Sequence, residues 1–158
     1  MKRLLLILSL VFTTLSLAAQ NQQDFAGQFM RLYGKTTSLE CSTVSPTMMG
    51  KMMKEVPADK QNHVRQVLTR VKSIRVVSNS KSSETSDLTD KAIDLVTQNS
   101  QRYQAYGATT TKRGVWMRKK GNAIVEIVVV NGTSPSRLHI VNLTGNMDDD
   151  FLDELLKM

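Results

Sequence analysis

Glu126 is the residue whose surroundings could carry the most chemistry. It is the one charged residue within the apolar run Ile124 to Val130. A carboxylate set beside a histidine tunes its pKa and can serve acid–base chemistry. If Gly121-Asn122 forms a two-residue hairpin turn, Lys120 faces Ala123, Arg118 opposes Val125, and Met117 opposes Glu126. Lys119 then becomes a diagonal neighbour of Glu126 on the same face. In the next hairpin, a register pairing odd with even numbers brings His139 and Arg137 to that face as well. The expected cluster is Glu126, His139, Arg137 and Lys119, and a slip of one residue would reverse every face. The plainer alternative is a single polar residue held in its strand by a salt bridge or turned to solvent.

Met48, Met49, Met52 and Met53 form a second candidate, lying within a turn and a half of helix. Thioethers are soft ligands suited to Cu(I). The same spacing is also what one buried helix face requires, with methionine as a flexible filler. A groove for an apolar ligand or a partner helix lies between those readings. Cys41, the only cysteine, sits mid-strand near Leu39 and reads as a small buried residue rather than a reactive thiol.

His63 and His139 are the only histidines and form no ligand-spaced pair, so no metal site is expected. The run Asp148-Asp149-Asp150 lacks the alternating ligands of a calcium loop and suits the positive end of a helix. There is no glycine-flanked serine elbow and no phosphate-binding glycine loop. No catalytic residue is assigned on these grounds, and no cofactor is expected. Trp116 and Tyr106 near Arg113, Arg118 and Lys120 could make a basic aromatic surface for a polyanion. The alternative packs Trp116 on the sheet with the cations at the hairpin tip.

These residues need elements to position them. Asp24 caps a short helix carrying Phe25, Phe29, Leu32 and Tyr33, ended by Gly34. Thr37 to Val44 alternates as a strand. Ser45-Pro46 opens the methionine helix, which Pro57 stops. Asp59 to Val71 continues as helix, Ile74 to Val77 as a short strand, and Asn79 to Ser86 as a polar loop. Asp87 to Asn99 is the clearest helix. Tyr103 to Thr111 reads as a strand. Gly114 to Lys120, Ala123 to Val130 and Arg137 to Leu143 read as an antiparallel meander. Gly145-Asn146 breaks the last strand, and Asp148 to Lys157 closes the chain as a helix. Ile124 to Val130 is apolar on both parities apart from Glu126, which implies a central strand covered on both faces. The fold class is α+β: a mainly antiparallel sheet, including the C-terminal three-stranded meander, packed against several amphipathic helices.

The ends and composition bound the compartment. Lys2 and Arg3 precede an apolar stretch from Leu4 to Leu17, and Ala18-Ala19 offers a small-residue cleavage site. This is the layout of a cleaved signal peptide. The apolar run is shorter than the ~20 residues of a spanning helix. The expected organisation is a signal peptide over 1–19 and one α+β domain over 20–158, exported to the periplasm or beyond. No cysteine follows the apolar run, so lipidation is not expected. The formal charge of +7 falls to +5 without Lys2 and Arg3. Export argues against nucleic acid as the partner of this basic surface. An envelope protein or an anionic membrane or glycan surface is the expected partner.

The closing stretch RLHIVNLTGNMDDDFLDELL runs a strand through Leu143-Thr144-Gly145 straight into an acid-capped amphipathic helix. With the leader, the early helix and strand, and the meander, this resembles domain of unknown function 4252. The resemblance implies small exported proteins and lipoproteins of Bacteroidetes and a Gram-negative envelope. It supplies no activity and no site residues. The expected function is that of an exported non-enzymatic envelope protein acting as a binding or interaction module. The alternatives are a small periplasmic enzyme using Glu126 and His139, and an apolar-ligand carrier using the Met48–Met53 helix.

Overall fold

The structure is a computed structural model, and it describes residues 23–59 and 61–156. The expected leader and its cleavage site lie outside the described residues. No helix among those described is long and apolar enough to cross a membrane.

Among the described residues, six strands form one antiparallel sheet with five helices packed on it. In chain order the elements are α1 (Phe25–Tyr33), β1 (Leu39–Val44), α2 (Pro46–Met53), α3 (Gln61–Thr69), β2 (Val71–Asn79), α4 (Thr85–Gln98), β3 (Gln104–Tyr106), β4 (Arg113–Lys120), β5 (Ala123–Asn131), β6 (His139–Met147) and α5 (Asp149–Leu156). The strand order is β1-β2-β6-β5-β4-β3. The α+β class, the meander and the central place of β5 agree with the sequence pattern.

Two helix starts have a cause in the adjacent residues. Asp24 accepts the Gly27 amide at 2.7 Å, and Ser45 accepts the Met48 amide with Pro46 in the first turn. Gly121 takes φ +61° in the β4–β5 turn, a conformation that favours glycine. The turn pairs Lys120 with Ala123, as the two-residue reading requires.

The two sheet faces have separate cores. Under α1 and α4 lie Val77, Trp116, Val128, Val130, Leu138 and Ile140, packed on Phe25, Phe29, Leu88, Ala92 and Val96. Under α2, α3 and α5 lie Val71, Ile124, Ile127 and Leu143, packed on Met49, Val67, Phe151 and Leu152. The first core has aromatic contacts of its own, with Phe25 stacked on Phe29 at 6.0 Å and edge-on to Tyr103 at 6.0 Å.

Three expectations about elements need correction. β6 does not break at Gly145-Asn146 but runs on to Met147. A Cβ on Gly145 would stand 2.1 Å from the Arg70 carbonyl oxygen. That carbonyl accepts the Asn146 amide at 2.9 Å, so the glycine permits a close strand approach rather than ending the strand. Only Gln104–Tyr106 of the proposed Tyr103–Thr111 strand is a strand. The Asn79–Ser86 loop contains a turn of 3-10 helix at Ser82–Glu84 and already enters α4 at Thr85.

Candidate functional site

Glu126 is fully buried beneath the start of α1. Four donors converge on its carboxylate. Oε1 accepts the Phe25 amide at 2.6 Å and Asn142 Nδ2 at 3.0 Å. Oε2 accepts Arg118 Nε at 2.8 Å and the Tyr103 hydroxyl at 3.2 Å. Asn142 also accepts the Ala26 amide through Oδ1 at 2.9 Å and donates to the Ile127 carbonyl at 3.2 Å. The first amides of a helix have no partner within it. Here Glu126, Asn142 and Asp24 take those of Phe25, Ala26 and Gly27 in turn. The carboxylates also face the positive end of the helix dipole.

The network continues outward on both sides. Asp24 Oδ1 pairs with Arg75 Nη1 at 3.0 Å. Arg102 donates Nη2 to the Gln23 carbonyl at 2.6 Å and lies over the Tyr103 ring at 5.4 Å. Burial, and then the Glu126 charge, push the Tyr103 hydroxyl well above the usual phenol range.

This arrangement corrects the cluster expected from the sequence. Arg118, not Met117, pairs across from Glu126, and Lys119 pairs with Ile124. Val125 is an extra residue on β5, a bulge that shifts the register between these two pairs. Lys119 bonds Asp149 at 2.8 Å instead of approaching Glu126. From Glu126 to Asn131, β5 pairs with β6 residues of like parity, Val130 with Ile140 and Asn131 with His139. His139 is therefore exposed and off Glu126's face, and Arg137 is exposed in the loop before β6. Of the four residues, none of the other three touches Glu126. Asn142, Tyr103 and the Phe25 amide occupy the places assigned to them. Asn142 fits a glycosylation acceptor pattern in the sequence, which says nothing of its place in the core.

The methionines divide. Met49 is buried, while Met48 and Met52 are 50% and 57% exposed. Met49 and Met53, with Pro46 and Leu68, line a groove of about 320 Å³ between α2 and α3. The four methionines are thus neither one core stripe nor one surface. Cys41 is exposed on the edge strand β1, not buried. Partial burial raises its thiol pKa, opposed by Arg75 and reinforced by Asp24. Trp116 is 3% exposed, which leaves it no face for stacking on a polyanion. Tyr106 bonds Asp153 at 2.6 Å.

Among the described residues no group of three or more His, Cys, Asp or Glu could hold a metal ion. The acidic run serves α5: Asp148 accepts the Phe151 amide at 2.9 Å and pairs with Arg70 at 2.9 Å.

A family model described as a domain of unknown function, DUF4252, matches residues 33–155. The chain belongs to this family. The DUF4252 match opens at the last residue of α1, so the helix that the network holds lies almost wholly before the matched span. The residues that hold it, Tyr103, Arg118, Glu126 and Asn142, lie within it. No curated protein and no solved structure matches this DUF4252 chain.

Proposed function

We propose that the protein is exported to a Gram-negative envelope and works there as a non-enzymatic binding module. The observation that carries the reading is the saturation of Glu126. A general acid or base needs a free side to exchange a proton with a substrate. The carboxylate most suited to that work has all its bonding directions taken by Phe25, Asn142, Tyr103 and Arg118. Export rests on Lys2, Arg3, the apolar stretch Leu4 to Leu17 and Ala18-Ala19. Among the described residues, Gln101, Arg102, Arg118, Lys119 and Lys120 line an open basic cleft.

Expressed with its own leader, the protein should be recovered from the periplasm or medium beginning near Gln20. Intact precursor confined to the cytosol would overturn the compartment. A Glu126→Gln variant that keeps its fold yet loses a substrate turnover shown by the parent would overturn the non-enzymatic reading.

One observation favours a second reading, an apolar-ligand carrier: the groove beside Met49, Met53 and Leu68. A fluorescent fatty acid that fails to bind the protein, or binds Met53→Asp as tightly as the parent, would remove it.

A further inference from the structure

Two arginines at one rim of the sheet are fixed from behind. Arg118 gives Nε to Glu126 at 2.8 Å, and Glu126 is itself immobilised by three further donors. What Arg118 has left for the cleft it lines is its pair of terminal nitrogens. Arg102 is held by the Gln23 carbonyl and by the Tyr103 ring. Both arginines line an open cleft of about 360 Å³ together with Gln101, Lys119 and Lys120. Asp149 partly neutralises Lys119. Among the described residues, four cations stand against Glu126 and Asp149, which leaves two positive charges in excess.

A flexible surface cation loses much of its binding energy to ordering its own side chain. A guanidinium held in advance avoids most of that loss. Its planar fork matches phosphate oxygens in paired hydrogen bonds, while a lysine acts as a point charge. The cleft volume lies at the small end of the range for ligand sites, about 300–1,000 Å³. That suits a single phosphorylated group rather than an extended polymer. With Trp116 buried, the cleft lacks the exposed ring on which nucleic-acid bases would stack.

We propose that this cleft binds phosphate groups, with Arg118 and Arg102 as fixed donors and Lys120 as a mobile charge. The proposal deepens the binding-module reading and rests on it. The phosphate belongs either to a free phosphorylated small molecule or to a lipid headgroup. Glu126 acts through Arg118 as a positioning residue.

The test follows the arginine Nε–H signals of the purified protein by NMR while pyrophosphate is added at constant ionic strength. Saturable shifts at Arg118 and Arg102 are expected, with no comparable response to chloride. In parallel, the protein is sedimented with vesicles of phosphatidylglycerol in phosphatidylcholine and with phosphatidylcholine alone. The double variant Arg102→Gln, Lys120→Gln leaves the Glu126–Arg118 pair intact and should weaken binding at least tenfold. Pyrophosphate binding without vesicle binding assigns a free phosphate ligand; vesicle binding lost in the double variant assigns a headgroup. No response to either probe, an equal response to chloride, or binding unchanged in the double variant overturns the proposal. A negative result here leaves export and binding of a protein partner standing, and those fail separately, by fractionation.

Discussion

The two faces of the sheet each bury an apolar cluster but hold their helices differently. On the α2/α3/α5 face the contacts are almost wholly aliphatic and methionine, and its polar links, Arg70–Asp148 and Lys119–Asp149, sit at exposed edges. On the α1/α4 face the Glu126 carboxylate and the Asn142 side-chain amide enter the core and accept the first amides of α1, while the Arg118 guanidinium donates to the carboxylate from the rim. Hydrophobic contact is non-directional and tolerates sliding. Hydrogen bonds to consecutive helix amides fix both the axial position and the angle of entry. The face that holds α1 is thus the one where placement is most tightly specified, and the same anchors fix the arginines of the basic cleft.

The largest expected effect separates the faces most sharply. Glu126→Leu strands the Phe25 amide, the Tyr103 hydroxyl and the Arg118 guanidinium together. Removing one partner of a buried pair costs about 3–5 kcal/mol, which at about 2–4 °C per kcal/mol for a domain of this size lowers Tm by roughly 10 °C. Limited proteolysis should then cut first around α1. Adding Arg118→Met should recover much of the loss, since an apolar replacement of a whole pair is often neutral. A Tm within about 1 °C of the parent would show that apolar packing alone holds α1, and the two faces would be equivalent.

On the opposite face the comparison can be made within one helix. Met49→Ala empties a buried site and should cost about 2–5 kcal/mol in urea unfolding. Met48→Ala and Met52→Ala, at exposed positions, should stay within about 0.5 kcal/mol of the parent. Equal losses at all three would mean that α2 presents a different side to the sheet.

What the sequence reveals follows the same division. The α2/α3/α5 face and the element order are legible because they rest on local periodicity and caps, as Asp24, Ser45-Pro46 and Gly121-Asn122 illustrate. The partners of Glu126 are not legible. Phe25 lies 101 residues away, and nothing local links a strand carboxylate to a distant helix start. Val125 carries no glycine or proline to announce a bulge, yet its insertion moves Arg118 opposite Glu126. The loop between β5 and β6 is too long for its turn chemistry to dictate register, so His139 and Arg137 were expected on the wrong face. Cys41 alternates like a core residue, and only strand order shows that β1 is an edge.

A smaller effect tests the contribution of the cap. Asp24→Ala removes the Gly27 bond and frees Arg75, and should cost about 0.5–2 kcal/mol, well below the loss at Glu126. A loss as large as that of Glu126→Leu would place the grip on α1 in the local cap and not in the sheet.

The smallest effect reads the dryness of the network through pH. Tyr103 is pushed above the ordinary phenol value by burial and by the Glu126 charge, whereas a tyrosine in the unfolded chain titrates near 10. Above pH 10 the unfolded chain therefore releases this proton first. Fewer protons bound in the unfolded state means that stability falls as pH rises. The contribution is complete below pH 10 and declines above it, with a limiting slope of about 1.4 kcal/mol per pH unit. By pH 11 the loss should be about 1 kcal/mol. Tyr103→Phe should abolish that share of the slope while costing about 1 kcal/mol at every pH for the lost bond to Glu126. Tyr106 is shifted in the same direction by its bond to Asp153, so both proteins should carry Tyr106→Phe. Lysines titrate in the same range but are identical in the pair, and the difference between the two unfolding curves isolates Tyr103. Equal slopes from pH 9 to 11 would mean that water reaches the Tyr103 hydroxyl. Glu126 would then be a hydrated carboxylate, and the contrast between a polar-gripped face and a merely apolar one would disappear.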